Sequence, residues 1–243
     1  MKTYTFTINR GGTGKTTSAG AMAEAAALDG FRVLLIDLDA QCSLSFLAGA
    51  DLSSYNAFDL LTKRATIRTA IQDRGGGLSI IPAGPLLSTI TQGDDIRRLK
   101  RLLEPIENEF DYCFIDTHPE TGELVFEALA ASDGAILPLQ AEIIALQGFY
   151  QVEETIKRVQ KVNRRLQIAG LLVCRYDKTA NIQTQYLEAI QEAAAERDIP
   201  VLGIIRDGKT LQNAQARRRG LLSYRPKSGQ ATDYLEAWKR LKL

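Results

Sequence analysis

The chain is poor in the residues that build metal centres and disulfide frameworks: three cysteines and one histidine in 243 residues. Cys42, Cys113 and Cys174 stand far apart and form no CxxC pair. An odd, scattered set of thiols excludes a disulfide scaffold and points to buried cysteines in a reducing compartment. Long hydrophobic runs are missing too, and none approaches the ~20 residues that span a bilayer. Met1 to Ile8 alternates polar and apolar residues, the pattern of a strand and not of a signal sequence. These absences predict a cytoplasmic protein. There is also no internal repeat, low-complexity segment or linker able to split the chain. One domain over residues 1–243 is therefore expected, long enough to bury roughly 70% of its unfolded surface.

Net charge is close to zero at +1, but it is unevenly spread. Residues 1–156 hold 12 Lys and Arg against 21 Asp and Glu, whereas residues 157–243 hold 18 against 8. A basic last third is one sign of a polyanionic partner, and a plain solvated basic face is the other reading.

Strand-length apolar runs alternate with helical stretches. Strands are predicted at 3–8, 32–38, 78–82, 111–116, 134–139, 167–174 and 200–205, with helices at 15–29, 93–108, 121–131, 145–163 and 181–197. Region 49–76 is the loosest and reads as short helices and turns. Val33-Leu34-Leu35-Ile36 and Ala135-Ile136-Leu137 are continuous and not alternating, as in parallel strands covered on both faces. Repeated strand–helix units imply right-handed crossovers and an α/β doubly wound, mostly parallel sheet with helices on both faces.

Between the first strand and an alanine-rich helix lies Arg10-Gly11-Gly12-Thr13-Gly14-Lys15-Thr16-Thr17. Glycines there let backbone N–H groups converge on phosphate oxygens, and the helix N-terminus adds partial positive charge. Lys15 is expected on the β- and γ-phosphates and the Thr16 hydroxyl on Mg²⁺, with ATP and Mg²⁺ as cofactors. Two further segments end in carboxylates: Arg32 to Asp39, and Phe110 to Asp116.

With Asn9 where the common GxxxxGK[ST] pattern has glycine, the loop is the deviant Walker A variant of a P-loop NTPase. The chain resembles the ParA/MinD group of ATPases over nearly its whole length, and the ParA (Soj-like) partitioning branch most. The resemblance implies that Asp39 orients the attacking water, that 39–46 is switch I, and that Asp116 of a Walker B strand holds Mg²⁺ through water. Arg206 and Asp207 then belong to the base pocket. Thr117-His118-Pro119 falls in switch II, where His118 reads as structural. Residues 137–148 match a stretch near the family's dimer interface.

Arg10 departs from the family, which has a signature lysine there that reaches the other subunit's phosphates in an ATP-sandwich homodimer. Arg10 can do that work as a catalytic residue in trans, can be structural while another basic residue acts, or can mark a chain that binds ATP and hydrolyses it poorly. The family implies non-specific DNA binding through basic residues of the last third, assigned to Arg217, Arg218, Arg219 and Lys209, with Lys157, Arg158, Lys161, Arg164 and Arg165 as a second cluster. It also implies a ParB-like or adaptor partner that stimulates a slow hydrolysis, and nucleoid association when ATP is bound. The chain shows no recognition-helix motif, and starting at the first strand makes binding to a specific operator unexpected. The rival is a MinD-like membrane-surface ATPase. Tyr234, Leu235, Trp238 and Leu241 share one face of the last helix, which suits an interfacial helix or, as expected here, one packed on the sheet.

Overall fold

A computed structural model describes residues 1–90, 95–119 and 122–242. Among the described residues eight strands form one sheet: β1 Lys2–Phe6, β2 Val33–Leu38, β3 Gln72–Gly75, β4 Leu78–Ile81, β5 Tyr112–Thr117, β6 Gly134–Gln140, β7 Gln167–Tyr176 and β8 Val201–Arg206. The helices are α1 Lys15–Leu28, α2 Ser43–Leu47, α3 Ala57–Leu61, α4 Ile67–Ala70, α5 Arg98–Leu103, α6 Glu123–Ala131, α7 Ala145–Val159, α8 Asn181–Ala195, α9 Lys209–Ala216, α10 Leu221–Tyr224 and α11 Gly229–Leu241.

The sheet order is β3-β4-β2-β5-β1-β6-β7-β8. Every neighbouring pair is parallel except β3–β4. From β1 the chain first builds one side of the sheet, returning to set β5 between β1 and β2, and then crosses β1 to build β6, β7 and β8 on the other side, so the order switches beside β1. A crevice opens there at the carboxyl ends of the strands.

The continuous apolar runs have the predicted cause. Along β2, Val33 and Leu35 face a core shared with α1 and α11, whereas Leu34, Ile36 and Leu38 face the core under α3, α5 and α6. A third core lies between β6, β7, α7 and α8. Both faces of the sheet are covered, as expected. Ala19, Ala23 and Ala26 of α1 are fully buried. Their small side chains let the helix axis press close to the strands.

The last helix packs inward. Tyr234, Trp238 and Leu241 are buried, and the Trp238 ring meets Tyr112 edge-on at 4.8 Å while its Nε1–H donates to Asp29 at 3.0 Å. No described helix is long and apolar enough to cross a membrane.

Four expectations need correction. Helix 93–108 is shorter: α5 covers Arg98–Leu103, a 3₁₀ turn follows at Glu104–Ile106 where Pro105 lacks an N–H, and residues 93–94 lie outside the described set. The helix predicted at 121–131 starts at Glu123, with residue 121 also outside the described set. Region 49–76 contains short helices α3 and α4, as expected, but also the edge strand β3. β3 runs antiparallel because Gly75, Gly76 and Gly77 all take positive φ and turn the chain back into β4. Helices α2, α9 and α10 lie where no helix is predicted.

Candidate nucleotide-binding site

β1 ends at Phe6 in the middle of the sheet, and the glycine loop connects it to α1. Gly12 (φ 74°) and Gly14 (φ 101°) use the left-handed conformation. A Cβ on Gly14 would also meet Cys174 Sγ at 3.3 Å, so this residue is constrained twice. Gly14 caps α1 without any side-chain hydrogen bond. The first-turn N–H groups are thus left for an anion, reinforced by the helix dipole.

Lys15 is buried, and its Nζ donates to the Arg10 carbonyl at 2.8 Å. Burial lowers the pKa of this ammonium, and the nearby carboxylates of Asp116 and Asp39 act in the opposite direction. Phosphate oxygens in the loop would offer the ammonium a charged partner in place of a carbonyl.

Three carboxylates stand at the ends of the adjacent strands. Asp37 and Asp116 face each other in the β2–β5 register. Asp37 is completely buried and accepts from Ser45 N (2.8 Å), Ser45 Oγ (2.6 Å) and Asp39 N (3.0 Å). Burial nevertheless pushes its pKa up to about 6. Asp37 therefore fixes both the start of α2 and the backbone of Asp39. Asp39 accepts from Gln41 N–H at 2.9 Å and borders the cleft.

Asp116 differs. It is fully buried, and neither carboxylate oxygen has a hydrogen-bond partner among the described residues. Burial and then Asp37 raise its pKa well above the carboxylate range, while the Thr16 hydroxyl and Lys15 oppose the rise. A buried, unpartnered carboxylate beside a threonine hydroxyl fits a divalent cation, which would supply the missing positive charge. Among the described residues no group of three or more His, Cys, Asp or Glu could hold a metal. A cation here would therefore depend on Asp116, Thr16 and oxygens brought by a ligand.

The cleft holds about 400 Å³ and is lined by Gly11, Gly12, Gly14, Lys15, Thr16, Thr17 and Asp39, as the sequence suggested, together with Cys174, Arg175, Gln230 and Tyr234, which it did not. Arg206 lines it as well, but its guanidinium is tied to Asp233 at 2.7 and 2.8 Å. Asp207 does not line the cleft and faces Arg175 at 3.7 Å. Thr13 is buried, and its hydroxyl has no hydrogen-bond partner among the described residues. His118 lies in a separate cleft with Gln41 and Leu124, away from the phosphate loop. Arg10 stands at the rim, its guanidinium 2.6 Å from Glu142.

The basic residues divide into two places. Lys209, Arg217, Arg218 and Arg219 are exposed on and after α9. The Arg217 guanidinium lies over Tyr224 at 5.3 Å and that of Arg218 over Phe46 at 4.2 Å. Arg164 and Arg165 precede β7, at the end of the sheet opposite the phosphate loop. Within one chain the two clusters are not brought together.

A central parallel strand, a glycine loop on a helix N-terminus and flanking strands ending in carboxylates define a P-loop nucleoside triphosphatase. The chain belongs to the AAA_31 family (AAA domain), which it matches over residues 1–168, and within it to the ParA/MinD-type ATPases. It is 31% identical over 249 residues to the sporulation initiation inhibitor protein Soj of Bacillus subtilis, covering 99% of this chain and 98% of Soj. It is 32% identical over 226 residues to the maintenance of carboxysome distribution protein A of Synechococcus elongatus, covering 88% and 89%. Apo McdA of Cyanothece superposes with a TM-score of 0.88 over the whole of both chains, at 22% identity.

Proposed function

We propose that the chain is a ParA-like ATPase, one domain over 1–243, that closes as a homodimer around Mg-ATP. In that state it binds DNA without regard to sequence and positions or partitions a cargo, which need not be a chromosome. A ParB-like or adaptor protein accelerates an otherwise slow hydrolysis and resets the cycle. The observation that carries this reading is that Lys15, Thr16 and Asp39 line one crevice with the buried Asp116 beside Thr16 and Lys15, and that Arg10, one-third exposed, stands at its outer rim. Kinship with Soj and with a carboxysome-distribution protein supports both the switch and the breadth of cargo.

In this reading the loop N–H groups from Gly11 to Thr17 orient the triphosphate and Lys15 neutralises its developing charge. Thr16 and Asp116 would hold Mg²⁺, which supplies charge compensation between the phosphates. Asp39 accepts a hydrogen bond from the attacking water and aims it in line. Arg10 offers its planar fork to the partner subunit's phosphates. Arg206 shapes the base end through its clamp on Asp233, and Asp207 contributes only by anchoring Arg175. Lys209 and Arg217 to Arg219 meet DNA phosphates, and bound protein is nucleoid-associated.

The test is retention on unrelated DNA with ATP, ADP and no nucleotide, beside liposome sedimentation, at two salt concentrations. ATP-dependent DNA binding that weakens steeply with salt is expected. Binding to liposomes and not to DNA would replace this reading with the MinD-like one, which requires the α11 face carrying Tyr234 and Trp238 to leave the core.

A further inference from the structure

A second cleft, of about 200 Å³, lies on the other side of the first turn of α1. It shares Thr16, Thr17, Leu211 and Gln215 with the nucleotide cleft, and Gln215 Nε2 donates to Thr17 Oγ1 at 3.4 Å in the wall between them. Its apolar surface reaches Leu35 and Leu44, which are 1% and 2% exposed, and continues over Leu47 and Leu78. Three guanidiniums stand on the lining: Arg74, Arg218 and Arg219.

None of the three is ion-paired to a carboxylate among the described residues. Arg74 Nε donates to the Ala48 carbonyl (3.1 Å), Arg219 Nη2 to the Ser223 carbonyl (3.5 Å), and Arg218 stacks on Phe46. The one acid on the lining, Glu24, is already engaged by neutral donors: Leu222 N–H at 2.9 Å and Ser223 Oγ at 2.5 Å. The cleft thus joins a deep apolar floor to a positive rim with unfilled guanidinium donors. Guanidinium forks match carboxylates in geometry and charge. A DNA backbone can touch that rim but cannot reach Leu35, so the floor calls for a small molecule.

We propose that this cleft is a second ligand site, taking a small organic monoanion. Its alkyl or aryl body would lie on Leu35, Leu44, Leu47 and Leu78, and its carboxylate would meet Arg74 and Arg218. Such a ligand would occupy Arg218, one of the arginines proposed for DNA, and would press on the helix turn that carries Thr16. The site does not depend on the ATPase reading, because it is complete in the nucleotide-free chain.

The experiment is calorimetric titration of the full chain, without nucleotide, with octanoate. Octan-1-ol and inorganic phosphate serve as probes lacking the charge and the tail respectively. Saturable octanoate binding is expected, with both controls weaker by about tenfold or more, and the Arg74→Gln/Arg218→Gln double variant weakening octanoate by about tenfold or more. Both substitutions are at exposed positions, and undiminished binding of a fluorescent ATP analogue verifies that the variant is folded. The proposal is overturned by absent saturation, by octanol or phosphate binding as well as octanoate, or by unchanged octanoate affinity in the double variant.

Discussion

Arg10 Nη2 lies 2.6 Å from Glu142 Oε2 and joins the first residue of the phosphate loop to the turn between β6 and α7. Two neighbouring contacts run between the same segments: Gln140 Nε2 to the Gly12 carbonyl at 2.7 Å, and Asn9 Nδ2 to Gln151 at 3.1 Å. Both partners of the ion pair are about one-third exposed, at 33% and 39%. Such pairs contribute roughly 0–1 kcal/mol, so Arg10 can exchange Glu142 for a phosphate at little cost.

Two substitutions separate these roles. Arg10→Ala should keep affinity for ATP within a few-fold and abolish ATP-dependent dimerisation, followed by analytical ultracentrifugation. Glu142→Gln should change stability by less than about 1 kcal/mol and leave dimerisation equal or stronger. Unchanged dimerisation and turnover in Arg10→Ala would remove the trans role.

Asp39 sits at the cleft while its backbone N–H is fixed by Asp37. Asp39→Ala should retain nucleotide binding and slow single-turnover hydrolysis by about a hundredfold or more. Equal loss of binding and turnover would instead make Asp39 a structural residue.

The buried acids give a pH dependence with a defined sign. Asp37 is raised to about 6 and Asp116 is also raised. A carboxyl with a folded pKa above its unfolded value stabilises the fold below the unfolded value, near 4, and that contribution is lost as pH rises through the folded pKa. Asp111, held at about 2 by Arg32, is ionised throughout this window and adds no slope. The nucleotide-free chain should therefore lose stability in thermal melts as pH rises from about 4 through about 6, the window that Asp37 sets. Asp116→Asn should flatten that loss and be more stable than the parent at pH 8 by about 1 kcal/mol or more, while losing Mg²⁺-dependent nucleotide affinity. A parent melting curve that rises with pH over this range would contradict the assignment.

Gly220 tests the packing behind α1. A Cβ there would fall 1.8 Å from Glu24 Oε1, forcing the carboxylate away from Leu222 N–H and Ser223. Gly220→Ala should cost about 1–2 kcal/mol in urea unfolding, and much less in a Glu24→Ala background. Additive losses in that cycle would show that Glu24 is not the obstacle.

Much of the site was legible because its signals are local. Gly11 to Thr17 needs only a strand before it and a helix after it, and Asp39 and Asp116 each close an apolar run. Asp37 gave a signal too, a charge inside Val33–Leu38, but its task depends on Ser45 and on the facing Asp116, which only the folded sheet supplies. Cys174, Gln230 and Tyr234 reach the cleft from beyond residue 170 and carry no motif. β3 was hidden because Gln72-Asp73-Arg74-Gly75 is polar and its role is to pair along an edge. α9 was hidden because it buries little besides Ala214. The arginine run suggested free cations, whereas Arg217 and Arg218 rest on aromatic rings, a relationship that sequence neighbours do not reveal.

Trp238 is the only tryptophan in the chain, and it is wedged between Phe31, Tyr112 and Asp29 at the seam of α11 with the end of α1. The protein therefore carries a single indole at a known place, which red-edge excitation separates from the eight tyrosines. Its emission reports the docking of α11 directly, without a label. A liposome that recruits this helix would have to pull the indole out of an aromatic cage into lipid, and a shift in its emission and quenching would record that departure.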